Sequence, residues 1–375
     1  MASADKVNKP IQSERQRKLQ QLSFAENTIL TRDLPRDTVL KHLQCRLSGS
    51  VVTTFGSGTP VADAFACFDN IIPRIDVIVN GSRTVKNVRP HLMHMQQLLS
   101  SLVQAERAAS AAVAAATDNY PLADAGFPYG STGDITTVRE TVLVSFENVY
   151  ARIGKDQTWL NLKGVASAEV RLTCGAFSSL LGFGNTAPVV YTSSTLKVDL
   201  ITIEAQDVPA NIRFMDWKQT TKEITFSAQT ADFAIDINRG NKLQGLMLFT
   251  RNGEAGTATT ASGKIASNLV VTDLALIVNG QNIIKKTDFK ALNAENRARF
   301  GVQAPYASST SRLEGIAYLD LLSDDGRGDL ETALDVRPPR VDNVQLFVST
   351  NTASNTSYTN PVSVTVMTEE LVQPE

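Results

Sequence analysis

Cysteine, histidine and tryptophan are scarce, at three, three and two in 375 residues. Cys45, Cys67 and Cys174 are odd in number and lack metal-site spacing, so neither a disulfide framework nor a zinc site is indicated, and the chain reads as made in a reducing cytoplasm. Long apolar runs are also missing. A bilayer span takes about 20 apolar residues, and the alanine-rich stretch 105–116 reaches about half that. Residues 1–22 contain no apolar h-region of a secretory signal. A formal net charge of −2 excludes a chain built as a whole to coat nucleic acid, and no sequence-specific nucleic-acid contact is expected.

Catalytic constellations are missing too. His91 and His94 stand at i, i+3 on a predicted helix, but no carboxylate or cysteine nearby completes a metal site, so a solvated or interface role is expected. No G-x-S-x-G elbow occurs, and no histidines cluster on strands as a cupin-type enzyme would need. Gly182-Phe183-Gly184-Asn185-Thr186-Ala187 matches a loose phosphate-loop pattern, yet Pro188 and a β-rich run follow where a helix is required, so it reads as a loop. Asp324, Asp325 and Asp329 gather beside Gly326 and Gly328 but depart from EF-hand spacing. They read as a solvated turn, with a calcium ion at a subunit contact as the alternative. Otherwise no cofactor is expected, and the chain is read as a non-enzyme.

What the sequence does contain is strands. Arg74–Val79, Glu169–Thr173, Leu196–Glu204, Val344–Val348 and Val362–Val366 alternate apolar with polar residues between Gly, Ser, Thr and Asn-rich loops. Two helices interrupt them. One opens at Pro90, carries Leu92, Met95, Leu99 and Leu102 at helical spacing, and is predicted to run to about Thr117. The other is capped by Asp288 and ends before Gly301, with Phe289, Leu292 and Phe300 as core contacts.

The plan occurs twice. Arg36, Leu40 and Leu43 match Arg239, Leu243 and Leu246, 203 residues on. Arg74–Gly81 (RIDVIVNG) matches Asp273–Gly280 (DLALIVNG), 199 residues on, and each copy leads to a helix. Asn80-Gly81 and Asn279-Gly280 are predicted hairpin turns, because a type I′ turn needs positive φ at both central residues. A third block spans about 33 residues without a gap: Glu140, Val142, Leu160, Leu162, Val170 and Leu172 match residues 174 positions further on.

This order of strands, Asn-Gly hairpin and helix, repeated once, resembles the double jelly-roll major capsid proteins of tectiviruses, corticoviruses, other internal-membrane bacteriophages and large eukaryotic DNA viruses. LIVNGQNI (Leu276–Ile283) is similar to the hairpin that precedes the helix in that family. The resemblance implies an all-β fold of two tandem jelly-roll β-sandwiches. It implies residues 27–207 as the first and 208–375 as the second, with the boundary between Gln206 and Thr220. It further implies a homotrimeric, pseudo-hexagonal capsomer in an icosahedral virion shell, with neighbouring capsomers and penton or minor capsid proteins as partners. Another viral β-rich surface protein, a penton or receptor-binding spike, is the alternative. Residues 1–26 are read as a basic arm without a counterpart in the second half. Within it Ser13–Leu22 could form a helix, and Lys6, Lys9, Arg15, Arg17 and Lys18 would face an internal viral membrane on the shell's inner side.

Overall fold

The computed structural model describes residues 14–54, 69, 71–100, 135–151, 154–176, 190–192, 195–206, 208, 212–253, 264–300, 315–322, 330–351 and 362–373. The predicted helical stretch 101–117, the Gly182–Ala187 loop, the aspartates Asp324, Asp325 and Asp329, and Lys6 and Lys9 lie outside them.

The first half holds β1 (Glu14–Lys18), β2 (Leu22–Ser23), β3 (Ile29–Asp33), β4 (Val39–Thr54), β5 (Arg74–Val79), β6 (Arg83–Val88), helix α1 (Pro90–Ser100), β7 (Ile135–Ser145), β8 (Leu160–Asn161), β9 (Ala168–Thr173), β10 (Val190–Thr192) and β11 (Lys197–Ala205). The second holds β12 (Asp216–Phe226), β13 (Thr230–Asp236), β14 (Lys242–Gly253), β15 (Lys264–Ala266), β16 (Val271–Val278), β17 (Asn282–Asp288), α2 (Phe289–Phe300), β18 (Ile316–Asp320), β19 (Leu334–Asp335), β20 (Val344–Thr350) and β21 (Val362–Val372).

Local chemistry sets the punctuation. Asn80 and Gly81 have φ of 53° and 72°, Asn279 and Gly280 of 54° and 68°, a left-handed pair that Asn-Gly adopts with little strain. The Asn side chains anchor the two turns alike: Asn80 Oδ1 accepts from the Ala166 N–H and Asn279 Oδ1 from the Asp342 N–H, at 2.8 and 2.7 Å. Helix α2 starts where Asp288 Oδ1 accepts the Ala291 N–H at 2.7 Å, satisfying one of its orphan donors.

Pairing follows one scheme twice. In the first half β1, β11, β4 and β7 form one antiparallel sheet, and β3, β9, β5 and β6 the other. In the second, β12, β21, β14 and β18 form one, and β13, β20, β16 and β17 the other. Both sheets of a half share a core: Leu43, Cys45, Val142 and Leu200 cluster with Val77, Val79, Val170 and Leu172, and Leu246, Leu248 and Val364 with Leu274, Leu276 and Leu346. Each such side chain withdrawn from water stabilises by about 1.5–3 kcal/mol. Even a β-bulge is repeated, at Lys41 in β4 and at Gln244 in β14, the same offset that relates Arg36 to Arg239. The two halves join where β6 and β12 pair in parallel, Lys86 opposite Gln219 and Asn87 opposite Thr220. A 10-stranded sheet thereby crosses from one sandwich into the other.

Three expectations are corrected. Residues 14–18 form a strand in place of the expected helix, because their alternating side chains find partners along β11, Arg15 opposite Glu204 and Arg17 opposite Thr202. This segment also has a counterpart in the second half: β1 pairs with β11 as β12 pairs with β21, Arg15 standing to Glu204 as Lys218 does to Glu370. The first sandwich therefore begins at β1. Finally, the third repeat block is not gapless. Val142 faces Cys45 as Ala317 faces Leu248, a separation of 175; Leu160 matches Leu334 at 174; and Val77 pairs with Val170 as Leu276 pairs with Leu346, a separation of 176.

Candidate functional site

The most chemically unusual region is the joint between the sandwiches, where charged and amide groups are fully buried. Lys86, on β6, is 0% exposed. Its Nζ donates to Gln219 Oε1 at 2.7 Å and stands 4.1 Å from the Trp217 ring centroid and 5.4 Å from that of Phe146. Burial drives its pKa well down, against the pull of Glu369 and Asp216. Glu369, on β21, is equally buried and accepts from Gln96 Nε2 (2.7 Å), Gln219 Nε2 (3.0 Å) and Tyr318 Oη (2.9 Å). Burial raises its carboxyl to about 7, although those donors and Lys86 favour the anion.

Around this centre the two halves interlock. Asn148 and Gln244 exchange amide hydrogen bonds of 2.5 and 3.2 Å, and Tyr150 stacks on Tyr318 with centroids 4.3 Å apart. Arg89 grips Asp69 at 2.7 Å and reaches Glu223 of β12 at 2.6 Å, and Arg251 of β14 holds the other Glu223 oxygen at 3.1 Å. Burying ions costs about what their attraction returns, so such a network contributes register and orientation more than net stability. It fixes one sandwich against the other.

Helices guard the sheet margins. The last strand of a sheet presents unpaired backbone groups. On β7 His94 Nε2 meets the Thr141 carbonyl at 2.9 Å, and Gln97 Nε2 donates to the Leu143 carbonyl at 2.8 Å. On β18 Asn293 and Asn296 donate to the Ile316 and Tyr318 carbonyls at 2.6 and 2.5 Å. Asn293 and Asn296 stand to His94 and Gln97 as Gly280 stands to Gly81 in the repeat, so the device belongs to the duplicated plan.

The histidines find structural places. His91 lies against Phe249 with centroids 4.4 Å apart, and burial lowers its pKa to about 3. His42 Nδ1 lies 3.0 Å from Ser145 Oγ, its pKa lowered to about 4 by burial. Among the described residues no group of three His, Cys, Asp or Glu is placed to hold a metal, Cys45 and Cys174 are free thiols, and no helix is long and apolar enough to cross a membrane. Arg15, Arg17 and Lys18 point at carboxylates of their own sandwich: Arg15 Nη2 is 2.5 Å and Arg17 Nε 3.2 Å from Glu204, and Lys18 Nζ is 3.1 Å from Asp199. The sequence reading missed Lys86, Gln96, Gln219 and Glu369. Their signal was present as polar residues set into otherwise buried segments, Glu369 and Glu370 closing an apolar strand above all.

No family model matches the chain, and no curated protein matches it by sequence. Solved structures do match. The STIV MCP, from Sulfolobus Turreted Icosahedral Virus, superposes with a TM-score of 0.61 at 13% identity, covering 96% of this chain and 97% of that one. The major capsid protein P2 of bacteriophage PM2 gives 0.55 at 8% identity, covering 96% and 98%, and a chain of the PBCV-1 virus capsid gives 0.54 at 12%, covering 96% and 93%. Over nearly its whole length, then, this chain has the double jelly-roll fold that these viral major capsid proteins share.

Proposed function

We propose that this chain is the major capsid protein of an icosahedral virus, a structural subunit that trimerises into pseudo-hexagonal capsomers. The observation that carries the reading is the joint: two sandwiches of identical strand order, linked by Lys86 to Gln219 and Gln96 to Glu369 and by a sheet that continues from one into the other. Two like sandwiches joined side by side suit a tile, which must present equivalent flanks to its neighbours. Capsomers so built would meet their neighbours and the penton or minor capsid proteins within the virion shell. The segment 1–13, with Lys6 and Lys9, is proposed to reach the inner face and the anionic headgroups of an internal membrane, each close cation contributing about 1 kcal/mol. Arg15, Arg17 and Lys18 pair with Glu204 and Asp199 of the first sandwich but stay partly exposed, and they are proposed to add to the same basic face.

Light scattering coupled to gel filtration tests this directly. Particles of three times the 40.6 kDa chain mass, three-fold in negative stain, are expected; a monomer at micromolar concentration would sink the reading.

A further inference from the structure

The duplication gives each half of the joint a counterpart that, among the described strands, is paired on one side only. Strand β6 is covered by β12, and its Val85 is 1% exposed; β17, its equivalent in the second half, has among the described strands only β16 beside it, and Ile283 and Ile284 are 59% and 40% exposed. Strand β12 is flanked by β21 and β6; its equivalent in the first half, β1, has among the described strands only β11. The helices differ in the same sense. The side of α1 that carries Gln96 to Glu369 also buries Leu92, Met95 and Leu99, whereas the equivalent residues of α2, Ala291, Ala294 and Ala298, are exposed. Among the described residues, then, one sandwich ends in a β17 edge and the other begins at a β1 edge that no further strand pairs. Within the chain, the parallel joint formed by strands of these same two kinds is already built.

We propose that β17 of one copy pairs in parallel with β1 of a second copy of this chain, repeating between chains the β6–β12 joint within it. The occupant is set by the internal symmetry: the surface that the fold shows fitting a β6-type edge is a β12-type strand, and β1 is that strand's counterpart. The register follows from the observed one. Lys86 opposite Gln219 becomes Lys285 opposite Gln16, and Asn87 opposite Thr220 becomes Lys286 opposite Arg17. Such a contact is head-to-tail, which closes into a ring when its rotation allows, and it covers two edges that would otherwise invite uncontrolled pairing. Alanines at 291, 294 and 298, where α1 has leucines and methionine, leave less apolar area to bury, so the joint between chains is the weaker of the two.

This assignment rests on the capsomer reading, and one pair of measurements separates them. In the double variant Gln16→Cys, Lys285→Cys, facing residues on strands about 4.8 Å apart fall within disulfide reach. Mild oxidation of the purified full chain should yield covalent dimers and trimers on a non-reducing denaturing gel as the major species, reversed by reductant. Either single variant, and Gln16→Cys combined with Ala231→Cys on β13, should give no ladder. The same samples are run by light scattering. Trimers that do not cross-link above those controls overturn the β17–β1 joint and leave the capsomer reading standing; monomers in both measurements overturn both. Ile283→Glu, at an exposed position, should weaken trimerisation by about tenfold or more without lowering the melting point of the monomer. An unchanged trimer fraction counts against β17.

Discussion

Glu369 carries three donors and no exposure, and its protonation links the joint to pH. Its carboxyl titrates near 7 in the fold against 4.5 unfolded. The folded state therefore holds the proton more tightly, and stability contributed by the protonated form is present below about 4.5 and lost as pH rises towards 7. The loss is at most on the order of 3 kcal/mol, since one pKa unit is worth about 1.4 kcal/mol. Glu369→Gln keeps acceptor and donor but removes the titration, so denaturant unfolding at pH 5 and pH 8 should differ less in the variant than in the parent; equal differences would refute the assignment. Gly245 gives a steric counterpart. A Cβ there would overlap the phenol of Tyr318, which is held by Glu369 and stacked under Tyr150, whereas a Cβ on Gly280 meets nothing within 4 Å. Gly280→Ala should cost only the left-handed backbone strain of about 1–2 kcal/mol. Gly245→Ala should cost more and loosen the joint, a ranking that thermal melts of the two variants decide.

The edge-guarding helices make a prediction one level up. Asn293→Ala and Asn296→Ala each strand a β18 carbonyl, and Asn296 also accepts the Tyr318 N–H at 2.6 Å, so each should cost about 1–3 kcal/mol, with Asn296→Ala the larger. Chemical denaturation would measure both, and a neutral Asn296→Ala would show that the margin needs no guard. The N-terminal strand refines another expectation. Removing residues 2–12 should leave trimers intact while impairing particle assembly or membrane attachment. Removing 2–22 deletes β1 and should unfold or monomerise the chain, and normal membrane-containing particles from the shorter deletion would refute an inner-face role. Elements were legible in the sequence where the signal is local. Asn-Gly demands positive φ, Pro90 and Asp288 mark helix starts, and strands with one buried face alternate. The signal failed where both faces are buried or both open. In β18 Ile316, Ala317, Tyr318 and Leu319 are all buried, Tyr318 towards the joint and Ala317 and Leu319 towards the core, so no alternation fixes the register and the match slipped by one residue. In β9 the slip was two residues, which a period of two cannot detect. Strand β1 reads ERQRK, without an apolar residue, because its inward arginines answer the buried Glu204 rather than a greasy core. The joint stayed hidden because its members come from β6, α1, β12, β18 and β21, and no spacing announces that they meet.

Across the whole molecule, a sheet that runs through both sandwiches is expected to make them one cooperative unit. Far-UV circular dichroism and the fluorescence of Trp159 and Trp217, one in the first half and one at the joint, should report a single coincident unfolding transition. Separate midpoints would mean that the sandwiches melt independently and that the joint is only a contact. The same fusion has a kinetic consequence. Two sandwiches held on one chain meet at an effective concentration set by the linker between β11 and β12 and not by how much protein the cell has made. In the proposed three-chain ring, each chain would therefore enter assembly with one contact already formed for each one it has yet to make. Early in synthesis, when subunits are dilute, ring formation depends on a lower power of their concentration than it would for the same sandwiches made singly, and the interval in which bare strand edges can find the wrong partner is shortened.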